Sequence, residues 1–209
     1  MEKLMLRKAV MGMVSTNVYF VKNTETGEMF IVDPASDPDR IGEMIRKMEG
    51  KLTAVLLTHG HFDHILAVPS LTDTFHVPVY ACKEESALLM DPELNLSGSV
   101  GRPVSFEADK CLEDNEEFTC AGFRIRMLHT PGHTGGSCCY YLQDEGILFS
   151  GDTLFCGSAG RTDFPGGSMS KLIESLHRLV DDLPENTAVY PGHDSATTIG
   201  DEKRYNPFV

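Results

Sequence analysis

The sequence predicts an α/β chain in which sheets stack in layers and helices pack on the outside. Three observations carry that reading. Apolar, β-branched stretches of strand length recur along the chain, and Leu52–Leu57 is the clearest of them. Stretches with apolar residues at helical spacing lie between them. The mixture repeats in both halves, as layered α/β architectures require.

The elements follow in order. Thr16–Val21 and Glu28–Val32 are rich in strand formers, and Asn23-Thr-Glu-Thr-Gly27 between them has turn chemistry, so together they predict a hairpin. Asp37-Pro38 opens a helix with proline at its first position. Ile41, Met44, Ile45 and Met48 form one apolar face of it, and Gly50 closes it. Leu52–Leu57 follows as a buried strand, and a helical stretch begins near His64. Val77–Ala81 reads as a short strand and Lys83–Met90 as a helix. Phe123, Ile125 and Met127 alternate with Arg124 and Arg126, the pattern of a half-buried strand. Cys138–Leu142 and Ile147–Phe149 flank the turn Gln143-Asp-Glu-Gly146. Ser168 or Ser170 caps a helix carrying Leu172, Leu176, Leu179 and Val180, and Thr187–Tyr190 is the last strand.

At 209 residues and 41% hydrophobic content, the chain can bury one sizeable core. No compositional break or low-complexity tract divides it, so residues 1–209 are read as a single domain. The N-terminus MEKLMLRKAV is charged and lacks a sustained apolar core, and no apolar run is long enough to span a bilayer. A cytoplasmic location without a membrane partner is expected. The six cysteines show no regular spacing, and adjacent Cys138 and Cys139 on one strand would point to opposite faces. Buried free thiols are therefore expected. The formal net charge of −13 repels polyanions, which argues against nucleic acid and anionic membranes as partners. A small anionic ligand would need a few well-placed Arg or Lys residues.

The chemistry begins at "LLTHGHFDHI", residues 56–65, where His59, His61, Asp63 and His64 fall within six positions of a chain with 8 histidines. Imidazole nitrogens with a carboxylate suit zinc or a similar borderline divalent ion. Three later stretches share one grammar, an apolar strand ending in a potential ligand. "IRMLHTPGH" ends at His133, "ILFSGD" at Asp152 and "AVYPGH" at His193. Gly and Pro beside each fit sharp strand-to-loop turns at one sheet edge. The set is large enough for two metals sharing a carboxylate. His76, His129 and His177 match no such position and read as ordinary structural histidines; for His129 a role supporting the ligands is the alternative.

The order His-x-His-x-Asp-His, then His, Asp and His, resembles the metallo-β-lactamase superfamily, and "STNVYFV" followed by "IVDPAS" is similar to that family's opening. The resemblance implies a four-layer αβ/βα sandwich with two divalent metals at one edge of the packed sheets. His59, His61 and His133 would hold one metal, Asp63, His64 and His193 the other, and Asp152 would bridge them. Zinc is the first choice of metal; iron and manganese also accept this ligand set.

"GDTLFCGSAGRTDFPGG" (151–167) and "PGHDSATTIGDEKRYNPF" (191–208) are similar to the glyoxalase II-like hydrolases of the superfamily, which cleave S-acylglutathione thioesters. The expected substrate is a small anionic thioester such as S-lactoylglutathione. The chain ends at Val209, soon after the last ligand, so the helical C-terminal domain with which full-length glyoxalase II recognises glutathione is expected to be missing. A thioester suits the residues present, because a thiolate leaves without a general acid. The resemblance implies hydroxide attack from between the metals, with Asp63 binding metal and orienting the hydroxide. Arg161, Lys203 and Arg204 are the candidates to meet substrate carboxylates. Alternatively, Arg161 pairs with Asp163 and Lys203-Arg204 is a solvated tail. Persulfide dioxygenases of the superfamily also carry the segment Gly160-Arg-Thr-Asp-Phe164. They imply a second reading, a single iron on His59, His133 and Asp152 acting on glutathione persulfide. A catalytically silent metal-binding module is disfavoured, since no ligand position is degraded.

Overall fold

A computed structural model describes residues 3–209. The first sheet contains β1 (Leu4–Met11), β2 (Thr16–Asn23), β3 (Glu28–Val32), β4 (Lys51–Leu56), β5 (Val79–Cys82) and β6 (Lys110–Leu112), in that spatial order. The second contains β7 (Glu117–Cys120), β8 (Phe123–His129), β9 (Cys138–Leu142), β10 (Ile147–Gly151), β13 (Ala188–Pro191) and β14 (Thr197–Thr198), in spatial order 14-13-10-9-8-7. Between β10 and β13, the short strands β11 (Leu154–Phe155) and β12 (Ser158–Ala159) pair as a ribbon. Among the described residues there are six α-helices: α1 (Pro38–Lys47), α2 (Phe62–Ile65), α3 (Val68–Phe75), α4 (Ser86–Met90), α5 (Met169–Asp182) and α6 (Ile199–Tyr205).

Strand alternation builds the layers. Val18 and Phe20 of β2 face outward into a cluster with Ile41 and Ile45 of α1 and Leu71 of α3. Tyr19 and Val21, one residue out of phase, face inward and meet Ile125, Met127, Tyr140 and Phe149 of the second sheet. On the far side of that sheet Cys139, Tyr141 and Leu148 pack on Leu172, Leu176 and Leu179 of α5. The order helix, sheet, sheet, helix is the four-layer αβ/βα sandwich. Each of those leucines on α5 is fully buried, which stabilises the fold by about 1.5–3 kcal/mol per side chain. Cys138 lies in the inter-sheet cluster and Cys139 in the outer one, the opposite faces that alternation demands.

Local chemistry explains the element ends. Asp37 caps α1 by accepting a hydrogen bond from Arg40 N at 3.2 Å, with Pro38 just inside the helix and Arg46 and Lys47 in its last turn. Strands β3, β4, β5 and β6 run parallel to one another, and β10 runs parallel to β13; the other pairings in the two sheets are antiparallel. Parallel strands present their carboxyl ends on one side, where open α/β sheets place their ligands.

Some elements differ from expectation. β1 pairs with β2 over its whole length although exposed Arg7 and Lys8 mask its alternation. The strand expected at Val77–Ala81 is Val79–Cys82, because Pro78 cannot donate to the ladder. The helix expected from Lys83 begins as a 3₁₀ turn, Lys83–Glu85, before α4. Thr187–Tyr190 is not the last strand, since β14 pairs back onto β13. All six cysteines are free, but Cys111 and Cys156 are exposed, on a short edge strand and a turn that offer no core to enter. None of the described helices is long and apolar enough to cross a membrane.

Candidate metal centre

The site grows from the ends of five strands. Beyond β4 the chain runs through Thr58 to His59 and His61 and into the short helix α2, which carries Asp63 and His64. His133 follows β8, Asp152 follows β10 and His193 follows β13. The fifth contribution is Asp33, directly after β3. Thr58 N and Thr58 Oγ1 donate to its two oxygens at 2.8 and 2.6 Å, and His64 Nδ1 donates to Oδ2 at 2.9 Å. Two glycines hold the strand ends close together. Gly151 has φ 49°, and a Cβ there would run into the Thr58 side chain. A Cβ on Gly192 would run into Asp152 Oδ1 and His64.

All seven sequence-derived candidates meet in one place. Ligand atoms of His59, His61 and His133 lie within 4.8 Å of one another, and so do those of Asp63, His64 and His193. Asp152 stands between the groups. Its Oδ2 is 3.7 Å from His133 Nε2 and 3.5 Å from His193 Nε2, and its Oδ1 is 3.5 Å from His64 Nε2. Asp63 Oδ2 is 3.3 Å from both His64 Nε2 and His193 Nε2 and accepts a hydrogen bond from Thr16 Oγ1 at 2.9 Å. Asp33, His59 and His64 form a third close group, but the oxygens of Asp33 are already engaged by Thr58 and His64, so it supports rather than coordinates.

Whether this set fits a metal is decided by its unpaired atoms. Nε2 of His59, His61 and His64 and Oδ1 of Asp152 are buried without a hydrogen-bond partner. Leaving a buried polar atom unsatisfied costs roughly 1–3 kcal/mol each, so four converging on one spot call for a shared partner. Cations bound to nitrogen and oxygen donors supply it. The electrostatics agree. Burial, reinforced by the imidazoles of His133 and His64, pushes His61 down to about 3, so it presents a lone pair and no charge. Burial and the neighbouring His64, His133 and His61 likewise hold His59 well below the usual histidine range. Burial would also depress His64, but Asp63, Asp152 and Asp33 outweigh it and raise its pKa well above the ordinary value. Asp63 goes the other way: burial opposes its ionisation, yet His64 and His193 hold it well below the carboxylate range. The carboxylates draw positive charge to the cleft, whether carried by a proton or by a metal.

The cluster floors a cavity of about 460 Å³, walled by the apolar side chains of Val14, Leu96, Phe155 and Phe164. Arg161 lines it too. Its guanidinium gives two hydrogen bonds of 2.7 Å to Asp163, lies 4.0 Å from the Phe164 ring centre, and its carbonyl accepts from His133 Nδ1 at 2.8 Å. Lys203 and Arg204 do not reach the cavity. On α6 they pair with Asp181 and Glu185 at 3.4 and 2.9 Å, a surface arrangement that satisfies both charges. His129 joins neither ligand group of the cluster, and its Nε2 bonds Gly135 O at 2.9 Å. Of the supporting residues Asp33, Thr58 and Thr16, only Asp33 carries a signal in the sequence: it ends the apolar strand "IVD" as the candidate ligands end theirs.

A family model of the metallo-beta-lactamase superfamily matches residues 11–193. The chain belongs to that superfamily. Hydroxyacylglutathione hydrolase GloC of Haemophilus influenzae (strain ATCC 51907 / DSM 11121 / KW20 / Rd) is 35% identical over 182 residues, covering 86% of this chain and 86% of that one. Among solved structures, the BLEG-1 B3 metallo-β-lactamase is 42% identical with a TM-score of 0.92, covering 98% of this chain and 99% of that one. TTHA1623 in a di-iron-bound form is 33% identical with a TM-score of 0.84, covering 97% and 100%. As a metallo-β-lactamase-fold protein, the chain carries its candidate ligands on the carboxyl ends of strands from both sheets.

Proposed function

We propose that residues 1–209 act as one metal-dependent hydrolase domain that cleaves small thioesters of the S-acylglutathione type. The observation that carries the metal is the convergence of orphaned donors on one cleft. In this reading His59, His61 and His133 hold one divalent ion, Asp63, His64 and His193 the other, and Asp152 touches both. The di-iron form of TTHA1623 supports two metals on this scaffold, and zinc and manganese fit the same donors. Bound there, the ions would supply a water-derived nucleophile at neutral pH and polarise an acyl carbonyl.

The chain's own residues do the rest. Asp63, anionic and fixed by Thr16, accepts a hydrogen bond from the attacking water and sets its direction. Val14, Leu96, Phe155 and Phe164 exclude solvent around the acyl group. Arg161 at the rim meets a substrate carboxylate, and Lys203 and Arg204, tied to Asp181 and Glu185, leave that task to it. A thiol of ordinary pKa, about 8.5, departs as thiolate without a proton donor, which suits an apolar-walled cleft. The likeness to GloC supports a thioester in particular.

A second reading, a persulfide dioxygenase with one iron on His59, His133 and Asp152, is favoured by the placement of Gly160–Phe164. Its Arg161 carbonyl steadies His133, and its Phe164 ring packs 5.5 Å from His61. The test is a panel of S-lactoylglutathione, other thioesters, β-lactams, phosphodiesters and glutathione persulfide, run with metal analysis. Thioester turnover with about two ions per chain is expected. Oxygen uptake with persulfide that outruns thioester cleavage would install the second reading, and dominant β-lactam turnover would displace both.

A further inference from the structure

Glu85 is a carboxylate buried to 1% exposure, in the 3₁₀ turn that follows β5, and it takes no part in the cleft. Its oxygens reach two separate loops. Gly60 N donates to Oε1 at 2.7 Å, and Gly60 sits between His59 and His61. Gly136 N donates to Oε2 at 2.9 Å, and the Thr134 hydroxyl lies 3.0 and 2.9 Å from the two oxygens, both residues following His133. Ser137 Oγ, 2.8 Å from Thr134 Oγ1, supplies the hydroxyl with its own donor, so the Thr134 proton is free to point at Glu85. Both glycines are demanded by space. A Cβ on Gly60 would meet Leu88 and Leu89, and a Cβ on Gly136 would run into Glu85 itself.

We infer that Glu85 is a positioning residue for one metal position: it clamps the His59–His61 loop to the His133 loop and so sets the spacing of those three imidazoles. The inference rests on the metal assignment proposed above. The other group, Asp63, His64 and His193, has its own support in Asp33 and Thr16 and makes no contact with Glu85 among the described residues. Loss of the clamp therefore loosens one position and spares the other. Glu85→Gln is the fitting perturbation. The amide keeps the size and one acceptor, but its NH₂ must face an N–H of Gly60 or Gly136, donor against donor.

The experiment is chelator competition of the metal-free protein with Zn²⁺, repeated with Co²⁺ so that the visible spectrum reports which position empties. In Glu85→Gln one dissociation constant should weaken about 10–100-fold, the usual cost of losing a partner that orients a ligand, while the other stays within about threefold. Thr134→Val should weaken the same constant and Thr134→Ser should restore it, which keeps the test open if Glu85→Gln folds poorly. Leu176→Ala, in the core under α5, lowers stability without touching either loop and should leave both constants alone. Two unchanged constants in Glu85→Gln and Thr134→Val would overturn the inference. So would a joint loss of both positions matched by Leu176→Ala. A wild-type chain that takes up no metal would instead refute the metal assignment, and this inference with it.

Discussion

Asp33 Oδ2 and His64 Nδ1 stand 2.9 Å apart, both closed off from solvent, and that bond turns His64 Nε2 toward the cleft. A carboxylate on one imidazole nitrogen fixes the tautomer and raises the basicity of the other. Asp33→Ala should therefore lower metal affinity about 10–100-fold although Asp33 is not in the cleft. Isothermal titration of the metal-free variant checks this, and wild-type affinity would show the bond to be ornamental.

Asp152 touches histidines of both groups, so its replacement should strike both at once. Asp152→Ala is expected to lose metal content and turnover together. His177→Ala, exposed on α5, should change neither. Elemental analysis beside a thioester assay reads the contrast, and an Asp152→Ala enzyme of full activity would dismantle the proposed centre.

Arg161→Ala should raise KM for an anionic thioester by about tenfold, toward the lower end of what a charge-assisted hydrogen bond contributes. The loss is held to that end because Asp163 already occupies two of the guanidinium's donors. Metal content should stay constant, and added salt should weaken capture more in wild type than in the variant. A normal KM with a reduced Tm would make the Arg161–Asp163 pair purely structural.

Asp114 ties the end of β8 to α5, accepting from His129 N at 2.8 Å and from Arg178 at 3.0 Å. Partial burial resists its ionisation, but Arg178 outweighs that and lowers its pKa below the ordinary carboxylate value. Because the folded value is the lower one, Asp114 contributes stability in full above its unfolded pKa. That contribution fades as pH falls through the folded value. The Tm gap between wild type and Asp114→Asn should therefore hold steady above about pH 5 and close as pH drops below about 4. Thermal melts across pH 3–8 measure it; a gap that widens in acid would reverse the sign.

Gly192→Ala should disturb the centre from behind, since the added methyl has no place except against Asp152 and His64. Reduced metal content with intact secondary structure is the expected result, read by circular dichroism beside elemental analysis.

The strands that carry ligands were legible because each ends an apolar run at a histidine or aspartate beside Gly or Pro, a pattern local enough to see in one dimension. The amphipathic faces of α1 and α5 were legible for the same reason. β1 was not, because exposed Arg7 and Lys8 break its alternation and only pairing with β2 defines it. α6 was not, since charged and polar residues dominate its seven positions and Ile199 alone marks a core face. Thr58 and Glu85 were invisible as a class, whereas Asp33 at least ends an apolar strand beside Pro34 as the candidate ligands end theirs. Thr58 and Glu85 are each a single polar residue whose meaning is a contact across many residues of chain, and nothing in its neighbours records that contact.

The division of the candidate ligands between the two sheets also sets an order of events. A chain emerging from synthesis offers His59, His61, Asp63 and His64 well before His133, Asp152 and His193 exist. Under the proposed metal assignment that first cluster would, early on, be a multidentate chelator without imposed geometry, and such a site ranks metals by intrinsic affinity, with copper ahead of zinc and iron. Only after the second sheet docks do the remaining donors arrive and geometry begin to discriminate. If the proposed centre is filled in that order, its ion would depend in part on which ions the unfinished chain meets.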